Sequence, residues 1–300
     1  EGLRRRGGAV TDTYPDAALV SPDWVADRLD RATADDPALQ IVEVDVDTDR
    51  YECGHIPGAV CLDWRRDLRA TDSHDIVGPD AMARLLGDCG ITEETTVVVY
   101  GDEANWFATH FYWQLTHYGH PDVRVVDGGR DHWVEQGYPT STAPVSPPTR
   151  SYGRSLSPPA RPAVRASRVD VSAAIDDETV LVDVRLDTEF RGERTAPPGT
   201  AESAVRGGHV PGARNVLWAA NLRPDRRFKS PAALRSLYAD HGITADETVI
   251  AYCRIGERSS ITWFALSELL GFDRVANYDG SWTEWGNLVG VPIETGSASR

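Results

Sequence analysis

Short β-branched apolar runs alternate with longer amphipathic stretches along the whole chain. Gln40-Ile-Val-Glu-Val-Asp45, Thr96-Val-Val-Val-Tyr100 and Val123-Arg-Val-Val-Asp127 have the length and composition of buried strands. So do Thr179-Val-Leu-Val-Asp-Val184, Thr248 to Tyr252 and Arg274-Val-Ala-Asn-Tyr278. Between them, Pro79 to Leu86 and Trp106 to Tyr118 have helical character. Ser21-Pro-Asp-Trp24 and Ser230-Pro-Ala-Ala233 each set Ser before Pro, the N-cap and first-turn signature of a helix start. Strands separated by helices require crossover connections, so the pattern predicts an α/β fold with mostly parallel sheets flanked by helices.

The pattern is written twice. Gly54-His-Ile-Pro-Gly-Ala59 recurs as Gly208-His-Val-Pro-Gly-Ala213, an offset of 154 residues. Gly90-Ile-Thr recurs as Gly242-Ile-Thr, and Asp127-Gly-Gly with Trp133 recurs as Asp279-Gly-Ser with Trp285, both at an offset of 152. A period this long and this well kept marks a duplicated domain. We expect a loose arm over residues 1–15, a first domain over 16–140, a linker over 141–162 and a second domain over 163–300. The Pro-, Ser- and Thr-rich stretch from Pro139 to Pro162 has no apolar period and fits an extended linker. Arg191 to Gly208 is an insertion peculiar to the second half, expected as a surface loop.

Composition narrows the classes of function. Of 300 residues, 31 are Lys or Arg and 46 Asp or Glu, a net charge of −15 that disfavours general affinity for nucleic acid or anionic membranes. No apolar run approaches the roughly 18–20 residues that cross a bilayer, and Glu1 to Gly8 has basic charge with no apolar core behind it. Cys53, Cys61, Cys89 and Cys253 show no paired spacing, so a reducing, cytoplasmic setting is expected. Cys53, His55 and Cys61 lack the four ligands and tight pairs of a closed zinc site, and neither metal nor cofactor is expected.

The chemistry concentrates at Cys253. The apolar run Val249 to Tyr252 stops at this cysteine, passes through Arg254-Ile255-Gly256-Glu257-Arg258, and is expected to re-enter helix at Ser259. Backbone N–H groups and the helix dipole favour an anion at such a place, and two arginines strengthen the field. That setting predicts a thiolate at neutral pH, acting as a nucleophile on an anionic substrate. At the 152-residue offset Gly101 falls on Cys253 and Asp102 on Arg254, so the first copy has neither the thiol nor the loop arginine. One catalytic and one supporting domain is the arrangement this asymmetry predicts. Gly256 is expected to take a backbone conformation that a β-carbon disfavours. Asp183 and His209 are expected to be local hydrogen-bonding devices, and Trp263, Trp282 and Trp285 to be core or pocket wall.

Together, the two Gly-His-x-Pro-Gly-Ala motifs, the two Asp-Gly-(Gly/Ser) motifs with their Trp, and the loop Cys-Arg-Ile-Gly-Glu-Arg followed by Ser resemble the tandem two-domain form of the rhodanese family. The resemblance runs from about Val20 to Ile293. The loop with its following Ser-Ser-x-Thr-Trp-Phe is similar to that of actinobacterial thiosulfate sulfurtransferases. The resemblance implies transfer of sulfane sulfur from a small anionic donor, thiosulfate, through a Cys253 persulfide to cyanide or a thiol, with release of sulfite. It also implies substrate contacts from Arg254, Arg258 and the upstream Arg191, and a loop of Ile255, Gly256, Glu257 and Ser259 around the sulfur. Two residues depart from vertebrate thiosulfate enzymes: Ile255 stands where they carry Lys, and Glu257 sets a negative charge beside the anion site.

Three rival readings remain. A 3-mercaptopyruvate sulfurtransferase typically follows its cysteine with Gly rather than Arg254. A cysteine phosphatase usually needs five residues between Cys and Arg, and here four separate Cys253 from Arg258. A non-catalytic persulfide carrier would take its sulfur from a relay protein.

Overall fold

The computed structural model describes residues 14, 18–70, 73, 75–153, 156, 164–197, 199–200 and 204–297. Nearly all of the expected arm over 1–15, and part of the expected linker, lie outside them. Among the described residues there are two parallel sheets. The strands of the first are β1 (Leu19–Val20), β2 (Leu39–Asp45), β3 (Val60–Asp63), β4 (Thr96–Tyr100) and β5 (Val123–Val126), in the order β1-β5-β4-β2-β3. The second holds β6 (Val180–Asp183), β7 (Arg214–Asn215), β8 (Val249–Tyr252) and β9 (Val275–Tyr278), in the order β7-β6-β8-β9. The architecture is the expected α/β one.

The long apolar runs became the central strands because both faces of a parallel sheet are covered and every position must be buried. All seven residues of β2 are buried, as are all four of β8. β1, β3 and β7 were not foreseen; β1 and β7 are only two residues long, too short to show a strand period of their own. The caps at Ser21 and Ser230 form as expected, their hydroxyls accepting from Trp24 N–H (3.1 Å) and Ala233 N–H (3.4 Å).

The two halves meet along the helices that follow their central strands, Trp106–Tyr118 and Glu257–Phe264. The first of these is buried on nearly all sides, and all eight residues of the second are buried. Thr109 and Ser260 touch hydroxyl to hydroxyl at 2.8 Å across the seam. Trp106 meets Trp218 edge-on at 4.8 Å, and Tyr112 meets Phe264 at 4.9 Å. The chain leaving the first half stays against it: Arg150 N–H donates to Gly87 O, and Tyr152 reaches His120.

Charge also joins the halves. Arg165 grips both carboxylate oxygens of buried Asp279 at 2.9 and 2.8 Å and pairs with Asp75 of the first half. Removing one member of such a cluster strands the other's charge. Arg165→Met is expected to lower unfolding free energy by on the order of 2–3 kcal/mol in urea titration. A change within about 0.5 kcal/mol, the range of ordinary surface substitutions, would contradict this role.

The C-terminal edge of the first sheet is closed by ionisable groups. Glu43 takes two contacts from Arg130 (2.9 and 3.0 Å) and a hydrogen bond from the Tyr100 hydroxyl. Asp102 pairs with Arg50 at 2.9 Å, and its N–H donates to Asp45 at 2.8 Å. Burial, reinforced by the Asp102 charge, pushes the Asp45 carboxyl up to about 9. Burial raises Glu43 to about 7. The folded state therefore keeps protons that the unfolded chain releases above about pH 4, so this cluster costs stability progressively as pH rises from there toward 9. Asp45→Asn keeps the acceptor for Asp102 N–H and removes the ionisation. It should stabilise the protein at about pH 8 by on the order of 1 kcal/mol and flatten the pH dependence of urea unfolding. Equal stability of the two proteins at that pH would contradict the assignment.

Candidate active site

Strand β8 delivers Cys253 to the floor of a loop that is shorter than expected. Helix resumes at Glu257, with Gly256 as its N-cap, and not at Ser259. Glu257, Arg258 and Ser259 therefore form the first turn of the helix, and the connection proper is Arg254-Ile255-Gly256. Its carbonyls are turned away from the sulfur. Trp282 N–H donates to Cys253 O at 3.1 Å, while the N–H and hydroxyl of Thr283 donate to Arg254 O at 2.9 and 3.1 Å. Ser281 completes the clamp by accepting from Cys253 N–H at 3.0 Å and donating to Tyr278 O at 2.6 Å. Its φ of +50° is a left-handed conformation unusual for a side chain with a β-carbon. This clamp is what the Asp-Gly-Ser motif does.

Gly256 takes φ +92°, and a β-carbon there would lie 2.7 Å from Asp279 Cα. Only glycine fits this approach. The conformation turns Gly256 N–H onto Cys253 Sγ at 3.1 Å. The Ser259 hydroxyl lies 2.6 Å from Asn277 Oδ1, and Asn277 Nδ2 donates to Gly256 O at 3.0 Å. Ser259 and Asn277 thus hold the turn from beneath.

The electrostatics depart from the expected ready-made thiolate. Cys253 is fully buried, and its thiol donates to Glu257 Oε2 at 3.3 Å. Burial first, and the Glu257 charge second, push the thiol above its ordinary range, against the opposing pull of Arg258 and Ser259. Both influences favour the protonated thiol over the thiolate at rest. A helix N-terminus and nearby cations are present, but desolvation and a carboxylate outweigh them.

The arginines divide. Arg258 is buried, and its two terminal nitrogens lie 3.0 and 3.2 Å from the oxygens of Glu189, a buried residue on the short helix Asp187–Phe190. It lends positive potential to the sulfur while its fork is held by a carboxylate. Arg191, at the end of that helix, pairs with Asp187 at 2.7 Å and Glu193 at 3.3 Å. Arg254 is half-buried in the loop itself. Ile255 lines a cleft of about 690 Å³ between the halves, walled also by Arg69, His117, Arg165, Asp279 and Thr283.

Sequence reasoning missed Glu189, Asn277 and Ser281. Only Ser281 carried a signal, its place in the repeated motif. Asp183 and His209 have the local roles expected of them. Asp183 holds fully buried Arg185 at 2.6 Å, and the Arg185 guanidinium lies 4.3 Å over the Trp282 ring. His209 Nδ1 lies 2.8 Å from Phe190 O, and its ring stacks on that of Phe190 at 3.6 Å. Trp263, Trp282 and Trp285 are fully buried.

In the first half the same frame holds different groups. Arg130 N–H donates to Gly101 O, as Trp282 N–H does to Cys253 O, and Gly129 at φ +61° stands where Ser281 does. Gly101 occupies the cysteine's place. A β-carbon there would meet Val44 O at 2.4 Å and the Asp45 carboxyl at 3.1 Å. Asn105, the left-handed N-cap of its helix, stands where Gly256 does, and its side-chain oxygen accepts from Gly101 N–H at 3.0 Å, as the Ser281 hydroxyl accepts from Cys253 N–H.

Comparison with known proteins agrees with this layout. The Rhodanese-like domain matches residues 21–136 and 167–288. A Haloferax volcanii protein named "Putative thiosulfate sulfurtransferase" is 53% identical over 95% of this chain and 98% of its own length. An actinobacterial relative of the same name, from Mycobacterium tuberculosis, is 48% identical over 93% of this chain and 98% of its own. "Sulfur carrier protein TtuD" of Thermus thermophilus is 47% identical over 93% and 96%. A solved structure of EanB in a cysteine-persulfide form with ergothioneine superposes with a TM-score of 0.80 at 27% identity, over 93% of this chain and 71% of that one. The chain belongs to the rhodanese family, with two rhodanese-like domains in tandem.

Proposed function

We propose that the protein is a thiosulfate sulfurtransferase working through a persulfide on Cys253. The observation that carries this reading is the caging of Cys253 Sγ: Gly256 N–H points at it from 3.1 Å, and it lies at the start of the helix Glu257–Phe264. Donors so arranged stabilise a thiolate and, one bond further out, the terminal sulfur of a persulfide. The Sγ lone pair attacks the outer sulfur of thiosulfate, the S–S bond of the donor breaks, and sulfite leaves with the electron pair. Cyanide or a thiolate then attacks the outer sulfur of the persulfide and returns Cys253. Splitting one transfer into two at a single nucleophile is covalent catalysis of the ping-pong kind.

In this reading the second domain is catalytic and the first supports it through the Trp106–Tyr118 helix. Arg254, the loop arginine with its side chain partly open to solvent, makes the direct contact with the donor's sulfonate. Arg258 supplies field from behind the sulfur, and Arg191 is a contact only if the donor displaces its carboxylate partners. Among the described residues no helix is long and apolar enough to cross a membrane. The reading sets the protein in the cytoplasm, where small thiols keep cysteines reduced and serve as acceptors.

A second reading is favoured by the sulfur-carrier relative at 47% identity. There Cys253 receives its sulfur from a relay protein's persulfide, and small donors are poor substrates. One set of assays separates the two. Sulfite release from thiosulfate with cyanide as acceptor should fall at least about a thousandfold in Cys253→Ala. Adding Gly101→Cys to that variant should restore nothing, because the first loop has no room for the side chain. Turnover surviving in Cys253→Ala would overturn both readings. No sulfite from the unaltered protein, with sulfur arriving only from a protein persulfide, would leave the carrier.

A further inference from the structure

We propose that Glu257 is the proton acceptor for Cys253, taking the thiol proton as the sulfur attacks and returning it when the persulfide is discharged. The proposal rests on the sulfurtransferase reading and assigns that site its acid–base group. Three observations carry it. Glu257 Oε2 is the oxygen to which the thiol donates, at 3.3 Å, and both residues are shut away from water, Glu257 at 2% exposure and Cys253 at 0%. The sulfur's other hydrogen-bonding neighbours, Gly256 N–H and Ser259, stand to it as donors, and a donor in that position does not take its proton. The third is internal to the chain: where the first half replaces cysteine with Gly101, the first residue of its helix, the place Glu257 holds in the second half, is Trp106, a side chain that cannot accept a proton.

Charge explains why the proton must move between these two atoms. A thiolate and a carboxylate in contact, both buried, repel strongly, and such pairs hold one proton between them. Passing it from sulfur to oxygen creates the nucleophile with no change in the charge of the site. It also removes the negative charge of Glu257 at the moment an anionic donor must approach. The upward push of burial and Glu257 on the thiol fits a resting state with the proton on sulfur.

The surrounding charges do not offer another acceptor. Arg258 lies 3.7 Å from Glu257 Oε1 and is held on its far side by Glu189. Asp279, behind Gly256, is tied to Arg165, which also holds Asp75. Asp183 is tied to Arg185, and Arg254 is a cation. In the forward step the S–H bond breaks and an O–H bond forms on Glu257. Sγ bonds to the outer sulfur of thiosulfate, and sulfite departs with the pair from the broken S–S bond. In discharge the acceptor bonds to that outer sulfur, the persulfide S–S bond breaks with its pair on Sγ, and the proton returns from Glu257.

The test uses the whole chain with Glu257→Gln and Glu257→Asp, measured in two ways. Sulfite release from thiosulfate reads the reaction, and alkylation of Cys253 by iodoacetamide reads thiolate formation without any sulfur donor. Glu257→Gln should be at least about tenfold slower than the unaltered protein in both at pH 7, with rates that climb as pH rises while the unaltered protein's stay level. KM for thiosulfate should not increase, since a negative charge has gone. Glu257→Asp, which keeps a carboxylate, should recover part of the loss. A Glu257→Gln protein as fast as the original, or faster, would overturn the proposal and make Glu257 a mere electrostatic burden. A Glu257→Asp protein as slow as Glu257→Gln would also overturn it, since shape and not proton transfer would then be at stake. If the original protein releases no sulfite yet shows the expected alkylation profiles, the sulfurtransferase reading falls while the role of Glu257 stands.

Discussion

Cys253 Sγ is sealed from water and in contact with a carboxylate oxygen 3.3 Å away, and the architecture of the second half is fitted to that contact. A buried sulfur that must become negative needs donors close by and acceptors turned aside. The chain meets the first need with Gly256 N–H and the start of the Glu257–Phe264 helix, and the second by tying the carbonyls of Cys253 and Arg254 to Trp282 and Thr283. The left-handed turns at Gly256 and Ser281 are the local cost of that orientation, and they sit at the site, where such strain concentrates. Glu257 looks misplaced beside an anion only while its proton state is held fixed. Once it exchanges a proton with the thiol, the same residue explains both the quiet resting state and the route out of it.

Duplication shows which parts of this arrangement are frame and which are chemistry. Both halves run a strand into a tight loop, clamp the loop's carbonyl with an N–H from the next helix, and bury the helix that follows. The occupants differ. Glu43 lies opposite Tyr100 in the first sheet as Asp183 lies opposite Tyr252 in the second, so Asp45 corresponds to Arg185. At the 152-residue offset Arg130 corresponds to Trp282. The guanidinium that neutralises the sheet edge has therefore moved from one side of the loop to the other. In the first half the space near the loop is filled by Asp45, Asp102, Arg50 and Arg130, a closed ionic plug. In the second half, moving the cation onto Trp282 leaves the loop to the thiol.

Much of this could be read from the residues. The long apolar runs gave their strands to within a residue at most ends, because full burial leaves a strong compositional mark. The repeat located the thiol, and Gly256 fitted its expected role because a positive φ at a close approach leaves few alternatives. The strands β3 and β7 were hidden, since their pairing is decided by neighbours and not by their own short sequences. The state of the thiol was misread for a related reason. A helix start and two arginines are visible in sequence, whereas the burial of Cys253 and the direction of the Glu257 side chain are not. Arg258 carried the same ambiguity: its partner, Glu189, lies 69 residues away along the chain.

The central claim is that Cys253 itself carries the sulfur. The most direct test is the intact mass and peptide map of the protein after brief exposure to thiosulfate and removal of excess donor. The account predicts a gain of one sulfur atom, located on the Cys253 peptide, absent in Cys253→Ala and discharged by cyanide. A protein that turns over thiosulfate while Cys253 stays unmodified, or that gains its sulfur on Cys53, Cys61 or Cys89 instead, would contradict it.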